Sequence, residues 1–123
     1  MQIKINEKTY DLYFGWDFLE QINNQLGFEM DVEGQSIKTK TGGMNFLEMG
    51  LSQYDPITVV KVIKAATNTL KAKPSTKDIQ GHIEELIGGE VNDYTNFVDE
   101  LHNSIKKDKL LNGLQKVNQK LNA

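Results

Sequence analysis

The side chains most able to do chemistry in this chain are its two histidines, His82 and His102. They are twenty residues apart and fall on different predicted helices. Neither stands in an HExxH pattern, in which two His side chains meet on one helix face as metal ligands. We therefore predict that both are structural residues, on the surface or half-buried.

Paired carboxylates occur at Glu84-Glu85 and at Asp99-Glu100. Adjacent residues of a helix point in different directions, so neither pair can share a proton as a catalytic dyad does. The chain has no Cys, which excludes a thiol nucleophile, thiolate metal ligands and disulfides. It also has no glycine-rich phosphate loop and no nucleophile elbow. The sequence thus predicts a binding protein that is not an enzyme and that uses no metal or cofactor.

The charged residues divide the chain into an acidic body and a basic tail. All 14 basic residues are Lys, and the net charge is -3. Residues 1–105 hold 9 Lys and 16 acidic residues, whereas residues 106–123 hold 5 Lys and 1 Asp. The body is acidic, and the chain has no Arg, whose guanidinium can grip phosphates and bases with two hydrogen bonds at once. Both facts argue against specific nucleic-acid binding.

The longest apolar stretch, residues 57–70, contains two Lys and is too short for a membrane span. The N-terminus does not resemble a signal peptide.

The N-terminal residues alternate between polar and apolar, which predicts a β-hairpin with strands at 2–5 and 9–14. A lone hairpin is marginal in water, so another element must cover its apolar face. The helix predicted over 16–26 could do this, with Gly27 as a left-handed stop. Residues 28–42 fit a short edge strand, a second hairpin or a loop.

Amphipathic helices make up the rest of the chain. Asp55-Pro56 and Ser75 mark helix starts. The Asp and Ser side chains can accept hydrogen bonds from free amides of the first turn, and Pro suits the first helical position. The predicted helices cover 44–52, 56–72, 76–87 and 93–105. The fold class is therefore α+β, mostly α, with an N-terminal β-hairpin packed on four to five helices. We assign 1–105 to a single domain and 106–123 to a Lys-rich amphipathic C-terminal segment. The expected core residues are Trp16, Phe18, Ile22, Val59, Val60, Ile63, Ile83, Leu86, Phe97 and Leu101.

The C-terminal segment has an apolar stripe at helical spacing. Its residues are Leu110, Leu111, Leu114, Val117 and Leu121. Such a stripe either packs on the domain's own core or docks on another chain. A membrane-surface helix is less favoured, since the stripe has neither Trp nor Phe. We take the stripe as the candidate partner-binding site.

Three stretches of the chain together suggest a family. The first is MQIKINEKTYDLYFGWDFLEQINNQLG, a hairpin with an aromatic-glycine turn into a helix. The second is GGMNFLEMGLSQYDPITVVKVIKAAT, a short helix, an Asp-Pro cap and a long apolar helix. The third is KPSTKDIQGHIEEL, a Pro-Ser helix start. In this order they resemble the tail assembly chaperones of siphophages that infect Gram-positive bacteria. The motif positions are Phe14, Gly15, Phe18, Leu19, Asp55 and Pro56.

The resemblance implies a protein of the host bacterial cytoplasm that is absent from the mature virion. It implies binding to the phage tape measure protein, which is kept soluble while the tail tube assembles. It also implies self-association into oligomers or spirals, and contact with the major tail protein through a frameshift-extended form. No cofactor, nucleic acid or membrane enters that role.

Two other functions fit the same residues. A structural head-tail connector or tail-completion protein of the virion has a similar size and α+β composition. A small DNA-associated regulator is supported by the Lys-rich tail alone and opposed by the acidic body. Analysis of purified virions distinguishes the first alternative, because a connector stays in the particle.

Overall fold

The computed structural model describes residues 1–31 and 38–121, and in those ranges it contains two antiparallel hairpins and six helices. The strands are β1 (Gln2–Ile5), β2 (Lys8–Asp11), β3 (Phe28–Asp31) and β4 (Lys38–Thr41); β1 pairs with β2, and β3 with β4. The helices are α1 (Trp16–Leu26), α2 (Gly43–Ser52), α3 (Pro56–Ala66), α4 (Thr76–Ile87), α5 (Asp93–Lys106) and α6 (Lys109–Leu121). The predicted α+β class, mostly α with an N-terminal hairpin, is confirmed.

The first hairpin has a two-residue turn in which Asn6 and Glu7 both have positive φ angles, 51° and 67°. Such a turn matches the right-handed twist of the flanking strands. Alternation then buries Ile3 and Ile5 on one face, as predicted. The helix in closest contact with β1 is α4 rather than α1. The amide of Asn6 adds a hydrogen bond of 3.4 Å to Asp78 of α4.

Helix α1 buries Phe18 and Ile22, as predicted, but the prediction for Trp16 is wrong, because its side chain is 76% exposed. Residues two apart on a helix differ by about 200° in direction, so Trp16 and Phe18 cannot face the same core. The aromatic contact that Phe18 makes at this end of α1 comes from Phe14. Their ring centroids lie 5.1 Å apart, edge to face.

The segment 28–42 supplies the second hairpin, although residues 32–37 lie outside the described ranges. Gly27 is extended (φ -70°, ψ 163°), so the predicted left-handed stop is wrong. A Cβ there would lie 2.8 Å from the carbonyl oxygen of Thr41, which is why the position suits glycine. Gly43 lets α2 cross close to α1, since its Cβ would lie 2.6 Å from the carbonyl oxygen of Ile22. The glycines therefore allow close packing here.

Helix α3 contacts α1, α2 and α4 and lies at the centre of the molecule. Asp55 caps it as predicted, accepting a 3.1 Å hydrogen bond from the amide of Thr58. The helix ends at Ala66, six residues before the predicted end. The hydroxyl of Thr67 donates to the carbonyl of Ile63 at 2.8 Å, and Thr67 itself is buried. The carbonyl of Ala66 accepts a 2.9 Å hydrogen bond from the amide of Tyr13, so a tertiary contact accompanies the end of α3, well before Pro74.

The buried face of α3 is rotated slightly from the predicted one. Val59 and Ile63 are buried as predicted, and Val62 joins them, while Val60 is only half-buried. In α4 and α5, Ile83 and Leu101 are buried as predicted. Leu86 and Phe97 of these two helices are, like Val60, only half-buried, so those three predictions are partly met.

Candidate partner-binding surface

Helix α6 packs on the body through a buried side chain and a polar contact to α2, and a local cap holds its first turn. Leu111 is fully buried, with 0% exposure, and α6 lies mainly against α5. The carboxylate of Asp108 accepts a 3.0 Å hydrogen bond from the amide of Leu111 and so caps the helix. At the other end, Asn118 donates to Asn45 of α2 at 3.3 Å. Leu111 and Asn118 thus hold α6 against the body, while the Asp108 cap stabilises the first turn of α6 itself.

The apolar stripe of α6 is divided between core and solvent. Leu111 packs inward, and Leu110 and Leu114 are half-buried. Val117 is 52% exposed and Leu121 is 76% exposed. In this arrangement the accessible part of the candidate site is therefore the last two turns of α6.

The family-motif residues have local structural roles. Gly15 precedes α1 with a φ of 140°, a backbone conformation that side chains disfavour. Leu19 and Phe14 are half-buried against the core, and Pro56 occupies the first position of α3. These residues position helices, and Phe18 belongs to the same core cluster as Leu111 of the α6 stripe.

A second candidate surface is a groove between α3 and α4 with a volume of about 540 Å³, which we call the α3–α4 groove. Ile83 and the half-buried Val60 line its apolar floor. Ile57 and Ile87 also line it and are 65% and 54% exposed. Large β-branched side chains left this open to water are typical of a docking surface.

Lysines line one wall of the α3–α4 groove. Lys61 and Lys64 lie on α3, one helical turn apart, and Glu84 lies on the α4 wall. Within residues 1–31 and 38–121, no salt bridge joins either lysine to an acidic group. The groove thus has a locally basic wall in an otherwise acidic body.

A neighbouring cavity extends this surface towards α2. It shares Gln25 and Lys61 with the α3–α4 groove and is also lined by Phe46 and Met49. Phe28 of β3 packs edge to face on Phe46 at 6.3 Å. All three of these apolar side chains are exposed. Met and Phe adapt well to different partners, because thioether chains are flexible and rings supply large contact area.

Sequence reasoning did not identify the groove, although α3 carried a signal for it. Its apolar residues extend around more of the helix than one buried face needs, since Ile57 and Val60 lie outside the stripe of Val59, Val62 and Ile63. An apolar arc wider than one core contact indicates a second surface.

The two histidines make contacts between helices. His82 packs edge to face on Phe97 at 5.6 Å, and burial lowers its pKa, with Glu85 opposing the shift. His102 Nε2 lies 2.7 Å from Glu48 Oε2 and ties α5 to α2. Each histidine therefore joins its helix to another part of the fold.

The paired carboxylates lie on exposed helix faces, Glu84 and Glu85 on α4 and Asp99 and Glu100 on α5. Asp99 accepts a 2.8 Å hydrogen bond from the hydroxyl of Tyr54, and this bond raises the pKa of that phenol. In the part of the chain that the structure describes, no three His, Asp or Glu side chains gather as metal ligands would. None of the helices in that part is long and apolar enough to cross a bilayer.

Comparison with known proteins gives one match. A family model described as phage tail assembly chaperone protein matches residues 2–119. Searches of curated proteins and of solved structures find no significant match. The matched range covers both hairpins and nearly all of α6.

Proposed function

Because the chain belongs to this family of phage tail assembly chaperones, we propose that it acts by binding the tape measure protein. It keeps this long client soluble and promotes assembly of the tail tube around it. The family match along residues 2–119 is the observation that carries the proposal. The match favours an assembly factor over the head-tail connector, which would remain in the virion.

The exposed apolar side chains support a client-holding role. The α3–α4 groove and the adjoining cavity each expose apolar side chains, Phe46 and Met49 in the second, and the end of α6 adds Val117 and Leu121. A protein that holds an aggregation-prone client needs such surface, because it must replace client–client contacts. Each contact can be weak when many copies line one long chain, since linked sites raise the effective concentration.

The remaining parts of the proposal follow from the same role. The protein acts in the cytoplasm of a Gram-positive host and is absent from the mature virion. It self-associates into oligomers or spirals, and a frameshift-extended form contacts the major tail protein. The domain of 1–105 carries the fold, and the segment 106–123 binds partners through the accessible part of its stripe, Val117 and Leu121, while Leu111 stays buried in the core.

Co-expression with overlapping fragments of the tape measure protein from the same phage tests the central proposal. At least one fragment that is insoluble alone should become soluble and co-purify with this chain. If every fragment stays insoluble and the protein is found by mass spectrometry in purified virions, the connector function replaces the chaperone function.

A further inference from the structure

We propose that the α3–α4 groove binds an amphipathic helix of the client whose acidic residues lie beside its apolar stripe. This inference rests on the proposed function, and it names the surface and the chemistry of the bound segment. It is carried by the shape of the groove, by its exposed isoleucines and by the two lysines of one wall.

The shape of the groove suits a helix. Its walls are helices of 11 and 12 residues, which at 1.5 Å per residue are about 16–18 Å long. That length matches about three turns of a bound helix. An extended segment is best held by the backbone of a strand edge, and both walls of this groove are helices whose backbone groups bond within the helix. A helix satisfies its own backbone groups and needs only an apolar stripe to fill the groove.

The exposed isoleucines supply the apolar contact. Ile57 and Ile87 are both more than half exposed, above a floor that includes Ile83 and Val60. A helix with apolar side chains at positions i, i+3, i+4 and i+7 would cover all four residues from one face.

Charge selects among the amphipathic helices that could fit. Lys61 and Lys64 form the charged part of the α3 wall, and Glu84 lies on the opposite wall. A helix with acidic residues on the side that faces α3 places opposite charges in contact, close to apolar surface where water screens them less. Helix α6 of a second copy fits poorly, because Lys116 and Lys120 flank its exposed Val117. The charges therefore favour an acidic client helix over self-association through this groove.

The test uses the full chain and the shortest tape measure fragment that it retains, labelled for fluorescence anisotropy. The charge variant is Lys61→Glu with Lys64→Glu, and its matched control is Lys4→Glu with Lys8→Glu on the exposed hairpin. The apolar variant is Ile57→Ser with Ile87→Ser, and its control is Val91→Ser, at a fully exposed turn outside the groove lining. Circular dichroism checks that each variant folds.

Both groove variants should weaken binding by about tenfold or more, whereas the control variants should stay within about twofold. Replacing the acidic residues of the fragment by Lys should restore binding to the Lys61→Glu, Lys64→Glu variant. Added salt should weaken the wild-type complex more than the complex of the charge variant.

Several results would overturn the inference. If wild type retains a fragment that the groove variants bind equally well, the groove is not the site, and the proposed function stands. If the isoleucine variant alone weakens binding, the bound helix is not acidic. If the groove variants instead dissociate oligomers in sedimentation velocity with client binding unchanged, the occupant is a second copy. If wild type retains no fragment, the proposed function and this inference fail together.

Discussion

Replacing Leu111 by Ala is expected to release α6 while the rest of the fold persists. Leu111 is the fully buried side chain of α6, and its neighbour Leu110 is only half-buried. Truncating a buried Leu costs about 2–5 kcal/mol, because transfer free energy is lost and a cavity remains. The cap from Asp108 and the bond from Asn118 each contribute only about 1 kcal/mol. The remaining contacts are therefore too weak to keep α6 in place.

Native-state hydrogen exchange measures this effect helix by helix. In the Leu111→Ala variant, the free energy of opening for α6 amides should fall by about 2 kcal/mol or more, which is roughly 30-fold faster exchange. Amides of α3 should change much less, since α3 packs on α1, α2 and α4 and not mainly on α6. Leu121→Ala is the matched control, because its exposed side chain should alter stability by less than about 0.5 kcal/mol.

Two results would refute this reasoning. Equal loss of protection in α3 and α6 would mean that α6 unfolds together with the domain, and the division at residues 105 and 106 would fail. Unchanged protection of α6 would mean that contacts other than Leu111 hold the helix. The division into 1–105 and 106–123 stays a prediction until this measurement is made.

Four further substitutions test the capping, the helix packing and the pH dependence of stability. Asp55→Ala should lower the free energy of unfolding in urea by about 0.5–2 kcal/mol, because the amide of Thr58 loses its cap. Gly43→Ala should lower the thermal midpoint at a cost of about 1–3 kcal/mol, because its Cβ meets backbone. Gly113→Ala is the control, because a Cβ there meets open space on α6, and it should stabilise the protein by up to about 1 kcal/mol. If the two glycine substitutions had equal effects, the close approach of α2 to α1 at Gly43 would be refuted. Burial raises the pKa of Tyr94 from 10.0 to about 12, so its contribution to stability is present below pH 10 and is lost as the pH rises towards 12. The free energy of unfolding, measured below and above pH 10, should fall less steeply with pH in the Tyr94→Phe variant than in wild type. An equally steep fall in both proteins would refute this role of Tyr94.

Local structure was well predicted from the sequence because it depends on neighbouring residues. The alternation of Ile3 and Ile5 indicated a strand, and both are buried on one face. The caps at Asp55 and Ser75 form as predicted, with hydrogen bonds of 3.1 Å and 3.0 Å to the amides three residues later. The ordered motifs of residues 1–105 also indicated the family that the match to residues 2–119 shows.

Helix ends and glycine roles depended partly on distant contacts. The end of α3 is set where Thr67 is buried, and Asn68 donates to Asp17 of α1 at 3.3 Å. The position of Gly27 suits glycine because a Cβ there would lie 2.8 Å from the carbonyl oxygen of Thr41 in β4. Both contacts join residues far apart in the chain, so no pattern of neighbouring residues reveals them.

Periodicity located most of the buried helix faces, but tertiary structure decided how far around each helix the buried face extends. Periodicity shows that a helix has an apolar face, but it does not show which elements cover that face. Trp16 therefore lies in solvent, and Val60 and Ile57 line a groove instead of the core. The sequence by itself determined the helices, the caps and the family. The groove exists only because α3 and α4 are brought together in space, and burial there depends on contacts between residues far apart in the chain.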